Sequence, residues 1–276
     1  MKKLLLHACC APCLTSSYKQ TMHDFLVVPF WFNPNIEDKQ EYNKRLDSFK
    51  RLTNKLGCNY IRHSESLCDE ESDVSVIPHL PALSEAEEMR DPNLLVDPRV
   101  ISLGEAEPRR KPEDDGKGGN DTTTEKNQYQ IDNLNWQKEI QGLENEKEGG
   151  KRCEKCIKFR LEETARKAKK NQFDIFGTTM TVSPRKNAST INKIGNNLAQ
   201  KYKIDFLSAN FKKKDGYFES VKLSKKYKLY RQNYCGCRYS STEKLKSRRF
   251  RNIGIPIKSI GKLKNRGIKE PKEPTD

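Results

Sequence analysis

The chain alternates short apolar segments with longer segments of helical periodicity, and this alternation constrains its fold more than any other feature. An apolar segment such as Phe25–Phe32 has the length and the aromatic content of a buried strand. Strands that alternate with helices form a parallel sheet with helices on both faces. The sequence therefore predicts an α/β fold. The predicted strands are Lys3–Ala8, Phe25–Phe32, Tyr60–His63, Asp174–Thr178 and Ile204–Leu207, and the predicted helices are Ser16–His23, Ile36–Leu56, Trp136–Leu143, Glu154–Asn171, Ala188–Tyr202 and Tyr217–Tyr227.

Two segments interrupt this pattern. Residues 65–127 contain 17 acidic and 7 basic side chains and 6 of the 13 prolines, without a long apolar periodicity. Such a composition buries too little apolar surface to fold, so we expect a disordered insertion. Residues 241–276 carry 11 Lys and Arg against 4 acidic residues, and we interpret them as a basic tail, with a role in solubility alone as an equal alternative. The α/β domain is then formed by residues 1–64 and 128–240.

The apolar runs of the sequence indicate the cellular location of the protein. The longest of them, Leu4–Leu6 and Phe25–Trp31, are far shorter than the roughly 18 residues that a membrane span requires. The N-terminus lacks the apolar stretch of a signal peptide. We therefore expect a cytoplasmic protein that does not bind a membrane.

The chain has nine cysteines, and an odd number does not suit the disulfide scaffold of a secreted protein. Clustered cysteines in the cytoplasm indicate metal binding or redox chemistry instead. Cys58 and Cys68 stand apart, and we interpret them as a small buried hydrophobe and as part of the insertion. The other seven form three groups: Cys9, Cys10 and Cys13; Cys153 and Cys156; and Cys235 and Cys237.

The first group follows the first predicted strand directly, within His7–Cys13. Ligands of α/β folds bind at the carboxyl ends of the strands, so this turn is a candidate site. It contains neither a G-x-G-x-x-G motif nor a P-loop. The sequence therefore disfavours nucleotide binding at this turn.

The second group has the two-residue spacing that lets both sulfurs bind one metal centre, at the start of a helix whose dipole favours thiolates. A zinc ribbon would need a second C-x-x-C pair, which the sequence lacks. Adjacent cysteines chelate one tetrahedral zinc poorly, but they can bind different irons of one cluster. The spacing therefore favours a [4Fe–4S] cluster on Cys9, Cys10, Cys153 and Cys156, with zinc as the alternative.

The third group, Cys235 and Cys237, is separated by one glycine. A disulfide across one residue closes a small, strained ring that is easily reduced, which suits an electron relay better than a structural role. The alternative is that these two thiols bind a further metal beside the cluster.

Three other segments also follow predicted strands. His7 could be a metal ligand or a proton donor, although a hydrogen-bonded core histidine is the commoner case. The amides of Asn33–Ile36 could line the site, or the segment could be an ordinary turn. In Ser183–Asn187, Arg185, Lys186 and the backbone N–H groups could bind a phosphate, or the segment could be a plain helix cap.

Several motifs between Leu4 and Ser240 together resemble the cobalamin-independent epoxyqueuosine reductases, the QueH family. The resemblance implies a Rossmann-like α/β domain. It also implies that the protein reduces the epoxide of epoxyqueuosine, at the wobble base of a tRNA anticodon, to the cyclopentene of queuosine. The matching segments are Leu5–Cys13 (LLHACCAPC), Trp31–Ile36 (WFNPNI), Gly149–Cys156 (GGKRCEKC), Arg160–Ala165 (RLEETA), Thr178–Asn187 (TTMTVSPRKN), Phe211–Gly216 (FKKKDG) and Tyr230–Cys237 (YRQNYCGC).

The resemblance further implies a redox-active disulfide between Cys235 and Cys237 and a cofactor other than cobalamin. Cys13 could bind an additional iron next to the cluster or simply pack. Tyr230 and Tyr234, beside the cysteine pair, are candidate proton donors. The implied ligands of the [4Fe–4S] cluster are Cys9, Cys10, Cys153 and Cys156, the set that spacing already favours.

Such a reaction needs tRNA, two protons and two electrons from an external donor, and iron could polarise the epoxide oxygen as a Lewis acid. Because the insertion has a charge of −10 and the whole chain one of +15, the rest carries +25, which fits contacts to tRNA phosphates. Two other functions stay open. One is a zinc-stabilised tRNA-binding module, and the other is an ATP-dependent tRNA thiolase, which should have a phosphate loop where this chain has His7–Cys13.

Overall fold

The computed structural model of the protein describes residues 1–63 and 122–241, with the backbone alone for residues 122–127. Within these ranges, parallel strands form one sheet in the order β3-β2-β1-β4-β5, which is the order of the first five strands of a Rossmann fold. The predicted α/β fold is confirmed. The strands are β1 (Lys2–His7), β2 (Phe25–Trp31), β3 (Ile61–Arg62), β4 (Ile175–Thr178) and β5 (Asp205–Phe206).

Helices connect the strands and cover the sheet. They are α1 (Ala11–Thr21), α2 (Lys39–Leu56), α3 (Thr122–Glu139), α4 (Lys151–Lys170), α5 (Ala188–Tyr202) and α6 (Gly216–Lys226), and a 3₁₀ turn (Thr179–Val182) follows β4. None of the helices in the described ranges is long and apolar enough to cross a membrane. Apart from residues 122–127 and Ser241, the predicted insertion and the predicted basic tail lie outside the described residues.

Both faces of the sheet are buried, as the continuous apolar character of β1 predicts. Leu4 and Leu6 point to one face and pack in a cluster with Phe49 of α2. Leu5 points to the other face, into a cluster with Leu161 of α4. Because successive side chains of a strand point to opposite sides, these two clusters place α1 and α2 on one face and α4 and α5 on the other.

Helix α1 begins at Ala11, so the predicted start at Ser16 is wrong. Two local features explain the earlier start. The Cys10 side chain caps the helix by accepting a hydrogen bond from the backbone N–H of Cys13, and Pro12 lies in the first turn, where its missing N–H costs nothing. Cys13 therefore lies on a helix that starts at the site. Helix α4 likewise begins at Lys151 instead of Glu154, which places Cys153 in its first turn.

Helix α3 begins at Thr122 instead of Trp136, inside the last residues of the predicted insertion. The apolar periodicity of α3 is weak. Much of this helix is held instead by polar contacts to the segment after β2. The Tyr129 hydroxyl donates to the carbonyl of Ile36 at 2.5 Å, and Asn133 Nδ2 donates to the carbonyl of Pro34 at 2.6 Å. Such long-range hydrogen bonds leave no periodic signal in the sequence.

Candidate metal and redox site

The candidate site lies at the carboxyl ends of β1 and β4, where the strand order reverses and α/β folds bind their ligands. The turn after β1 carries Cys9, and the turn after β4 carries Thr179. The Cys9 backbone N–H donates to Thr179 Oγ1 at 3.2 Å, so the two turns are joined directly. The turn after β1, Ala8–Cys10, contains no glycine. It therefore lacks the phosphate loop that a tRNA thiolase should have at this position.

Cys9, Cys10 and Cys13 form a compact sulfur group, with their Sγ atoms all within 4.8 Å of one another. Hydrogen bonds from the Cys10 and Cys13 thiols hold the pKa of Cys9 well below its usual range. Burial raises the pKa of Cys10 to about 12. The first negative charge of this group therefore resides on Cys9, and the three sulfurs could together hold a metal ion.

Cys153, Cys156, Cys235 and Cys237 line a second, smaller cavity nearby. Cys156 and Cys237 pack in one buried cluster with Trp136 of α3. Burial raises the pKa of Cys156, and it raises the pKa of Cys237 to about 11. The fold thus brings the C-x-x-C pair of α4 next to the C-x-C pair near the end of the described chain.

The structure therefore gathers the four predicted cluster ligands into two neighbouring groups. Within the described ranges, no other set of three or more His, Cys, Asp or Glu ligand atoms is as close together as the Cys9 group. The assignment of Cys9, Cys10, Cys153 and Cys156 to one cluster stays a prediction. Cys13, which could bind an additional iron or simply pack, lies with Cys9 and Cys10.

The largest opening at the site is a cavity of about 350 Å³. This volume is within the range of small-molecule sites. Cys235 and Lys186 line both this cavity and the smaller one, so they stand between the two cysteine groups. The lining also includes thiols, charged side chains and two tyrosine rings: Cys9, Cys13, Arg45, Glu148, Arg160, Arg185, Arg231, Tyr217 and Tyr234.

Lys186 is directed at a sulfur. Its Nζ lies 3.4 Å from Cys235 Sγ, and the charge of Cys235 raises the pKa of Lys186. Phosphate binding by Lys186 stays a prediction. At the end of the same segment, Asn187 Oδ1 accepts hydrogen bonds from the N–H groups of Ser189 and Thr190, as the helix-cap alternative predicts.

Arg45 of α2 holds the loop that carries the C-x-C pair, and the sequence analysis missed it. Its guanidinium donates to the carbonyls of Cys235 at 2.9 Å and Tyr234 at 3.2 Å, and it forms a buried ion pair with Glu41 at 2.7 Å. In the sequence, Glu41 and Arg45 have the spacing of an ordinary exposed helical pair. Only their burial, at 7% and 3% exposure, distinguishes them.

The conformation of this loop requires a glycine at its centre. Gly236 has φ of +124°, and a Cβ atom there would lie 2.9 Å from Ile36 Cγ1. The loop is also tied to the segment after β2, because the Glu37 N–H donates to the Gly236 carbonyl. No disulfide joins Cys235 and Cys237 in this structure.

The two candidate proton donors lie in different places. Tyr234 lines the large cavity, and its ring stacks under the Arg45 guanidinium at 5.3 Å. The Tyr230 hydroxyl instead donates to Glu41 Oε2 at 2.6 Å, and burial raises its pKa to about 12. Tyr230 is not part of the cavity lining. Of these two tyrosines, Tyr234 alone lines the cavity.

His7 is a core histidine. Both ring nitrogens are engaged, Nδ1 with Thr178 Oγ1 at 2.9 Å and Nε2 with the Phe32 carbonyl at 3.0 Å. Burial lowers its pKa to about 3. Cys58 is buried as predicted and packs in the apolar cluster that contains Leu4 and Phe49, whereas Cys68 lies outside the described residues.

Asn33 links the turn after β1 to α4. Its side-chain amide was predicted as one of the groups that could line the site. Its Nδ2 donates to the carbonyl of Ala8, directly before Cys9, at 2.9 Å. Its Oδ1 accepts a 2.5 Å hydrogen bond from Arg160 Nη2. Arg160 is only 2% exposed and lines the large cavity. Although Arg160 begins the segment Arg160–Ala165, its burial is not evident from the sequence, because an arginine on an amphipathic helix usually faces solvent.

Comparison with known proteins gives consistent matches over most of the chain. The family model described as Epoxyqueuosine reductase QueH matches residues 4–75 and 79–243. The chain is 31% identical over 245 residues to the Epoxyqueuosine reductase QueH of Thermotoga maritima, covering 88% of this chain and 93% of that protein. It is 29% identical over 238 residues to the protein of the same name from Streptococcus pyogenes serotype M1, covering 86% of this chain and 70% of that protein.

Proposed function

The chain belongs to the QueH family of epoxyqueuosine reductases, and we propose that it reduces the epoxide of epoxyqueuosine at the tRNA wobble position to the cyclopentene of queuosine. The observation that carries this proposal is the position of Cys9, Cys13 and Cys235 along one open cavity at the carboxyl edge of the sheet. A cavity lined by both thiols and cations suits a reductive reaction on a polar, anionic substrate.

The residues present fit an iron–sulfur cofactor by their donor chemistry. The two groups offer sulfur donors, and the one nearby imidazole, His7, has both nitrogens engaged. The low pKa of Cys9 favours the thiolate that a metal requires. When bound, the cluster would supply single electrons and a Lewis-acidic iron. We propose that Cys9, Cys10, Cys153 and Cys156 hold a [4Fe–4S] cluster; Cys13 is the ligand available to an additional iron.

The C-x-C pair is proposed to deliver the electron pair. Oxidation of Cys235 and Cys237 to a disulfide releases two electrons and two protons, and the epoxide takes up both as its two C–O bonds break to give an alkene and water. Cys235 lines the cavity and faces the Lys186 ammonium, which stabilises negative charge on its sulfur, whereas Cys237 is buried behind it. An external donor then returns the pair to the dithiol.

The substrate is proposed to enter as a nucleotide turned out of the anticodon loop. Enzymes that modify a base take it out of its stack, and single-stranded loops allow this at low cost. Arg185 and Arg231 line the cavity, and their positive charge suits phosphates of the loop. Tyr234 is placed to donate a proton or to contact the base.

The test is an anaerobic reaction of the purified protein with tRNA that carries epoxyqueuosine, in the presence of a chemical reductant. Nucleoside mass spectrometry should detect queuosine with the wild-type protein and none with Cys235→Ser. Cys58→Ala is the matched control, since Cys58 is buried away from both cavities, and it should retain turnover. Absence of queuosine with the wild-type protein, or full turnover by Cys235→Ser, would contradict the proposal.

One alternative function has its own supporting observation. The three sulfurs of Cys9, Cys10 and Cys13 lie close enough for a single zinc ion, as a zinc-stabilised tRNA-binding module requires. Metal analysis separates the two functions. A colourless protein with stoichiometric zinc, which binds tRNA without changing it, would favour the module.

A further inference from the structure

Arg160 is a buried cation that lacks an ionic partner. Its side chain is 2% exposed, and its Nη2 donates to the neutral amide of Asn33. Its Nε is buried without a hydrogen-bond partner. Within residues 1–63 and 128–241, no carboxylate forms an ion pair with Arg160, and Glu148, which also lines the cavity, is exposed. A buried charge is costly unless it is paired, so this guanidinium indicates an anion that binds beside it.

The position of Arg160 identifies this anion. Arg160 lies one helical turn after Cys156 on α4, and Asn33 ties its guanidinium to the carbonyl of Ala8, directly before Cys9. Arg160 also lines the same cavity as Cys9 and Cys13. Its positive charge therefore lies beside both cysteine groups.

From this placement we infer that Arg160 is the buried counter-charge of the metal site and raises the reduction potential of a cluster held by Cys9, Cys10, Cys153 and Cys156. This inference rests on the proposed function. A cluster on four thiolates is anionic, and its reduction adds one more negative charge. A fixed cation close to it stabilises the reduced form more than the oxidised form, which makes an electron from an external donor easier to accept. Arg160 is a positioning residue, since it acts through the cluster.

The second cation at the site has a different task. Lys186 faces Cys235 at 3.4 Å and so belongs to the cysteine pair. Arg160 instead donates to the neutral amide of Asn33. The neutral Asn33 contact orients the guanidinium without cancelling its charge. A carboxylate at residue 33 would accept from the guanidinium and offset its charge, but it could not donate to the Ala8 carbonyl as Asn33 does.

The experiment is an anaerobic redox titration of the reconstituted protein, followed by electron paramagnetic resonance of the reduced cluster. Arg160→Gln should lower the midpoint potential by at least about 59 mV, which corresponds to a tenfold change in the one-electron equilibrium constant. Arg160→Lys should keep most of the wild-type potential. Arg166→Gln, which removes an exposed guanidinium from the same helix, is the matched control and should leave the potential unchanged.

Asn33→Asp provides an independent test that leaves Arg160 in place. A carboxylate at the position of Asn33 Oδ1 would pair with the guanidinium and should lower the potential in the same direction. This variant decides the question if Arg160→Gln fails to retain its iron. Iron and sulfide are counted for each variant, so that a loss of cluster is not mistaken for a shift in potential.

The possible failures are distinguishable. If the wild-type protein binds no iron–sulfur cluster, the proposed cofactor and this inference fall together. If the cluster forms and both Arg160→Gln and Asn33→Asp shift its potential no more than Arg166→Gln does, the inference alone is overturned. A raised KM for tRNA with an unchanged potential would show that the anion beside Arg160 is a substrate phosphate.

Discussion

Replacing Arg45 with methionine should destabilise the protein strongly, because it leaves a carboxylate buried without a cation. Glu41 is 7% exposed, and its ion pair with Arg45 at 2.7 Å supplies the neighbouring positive charge. Methionine preserves much of the apolar stem of the side chain but cannot donate to the carbonyls of Tyr234 and Cys235. Removing one partner of a buried pair costs about 3–5 kcal/mol. That is a large part of the roughly 5–15 kcal/mol by which a domain is stable.

The assay is urea unfolding of the metal-free protein, monitored by circular dichroism. Lys44→Met is the matched control, since Lys44 is exposed on the same helix, and it should change the free energy of unfolding by less than about 0.5 kcal/mol. The double variant Glu41→Gln/Arg45→Met removes the unpaired carboxylate. It should therefore be more stable than Arg45→Met alone, by about 1–3 kcal/mol.

The same substitution should also loosen the loop of the C-x-C pair. Alkylation of Cys235 by iodoacetamide, quantified by mass spectrometry of the peptide, should be faster in Arg45→Met than in Lys44→Met. The reasoning is refuted if Arg45→Met costs less than about 1 kcal/mol or if the double variant is no more stable than Arg45→Met alone. Either result would show that the Tyr230 hydroxyl, which donates to Glu41 Oε2 at 2.6 Å, compensates the carboxylate without Arg45.

Three further predictions concern the metal, the pH dependence of stability and the substrate. The protein purified without oxygen should be brown, with about four irons and four sulfides per chain, and Cys153→Ala should lose this iron while Cys235→Ser keeps it. Burial alone would lower the pKa of His63, but its hydrogen bonds to Asp132 and Glu163 raise it to about 9. The stabilising contribution of His63 should therefore be complete below about pH 6.5, which is the pKa of histidine in the unfolded chain. It should disappear as the pH rises through about 9. The urea midpoints of the wild type and of His63→Gln should then converge at alkaline pH. Turnover of epoxyqueuosine in tRNA should exceed that of the free nucleoside and fall steeply with salt, whereas equal turnover without a salt effect would assign the enzyme to a small molecule.

The order and type of the elements could be predicted because their signals are local. Helix α5 has the bounds that the sequence predicts, Ala188–Tyr202, since both its amphipathic period and its cap at Asn187 depend on neighbouring residues. The cysteine groups are equally local, and their spacing alone indicates metal or redox chemistry. The position of the Cys9 group at the carboxyl end of β1 also follows from its place directly after the first strand.

Tertiary structure alone decided the electrostatics of the site. Arg45 and Arg160 lie on helices whose charged positions would face solvent in isolation, and they become buried only because α2 and α4 pack beside the cavity. The separation of the cysteines into two neighbouring groups, and the placement of Tyr234 but not Tyr230 in the cavity, depend on contacts between residues far apart in the chain. The sequence determines which side chains are present and which element carries each of them. The field that those side chains produce depends on the distances between elements, and packing sets these distances.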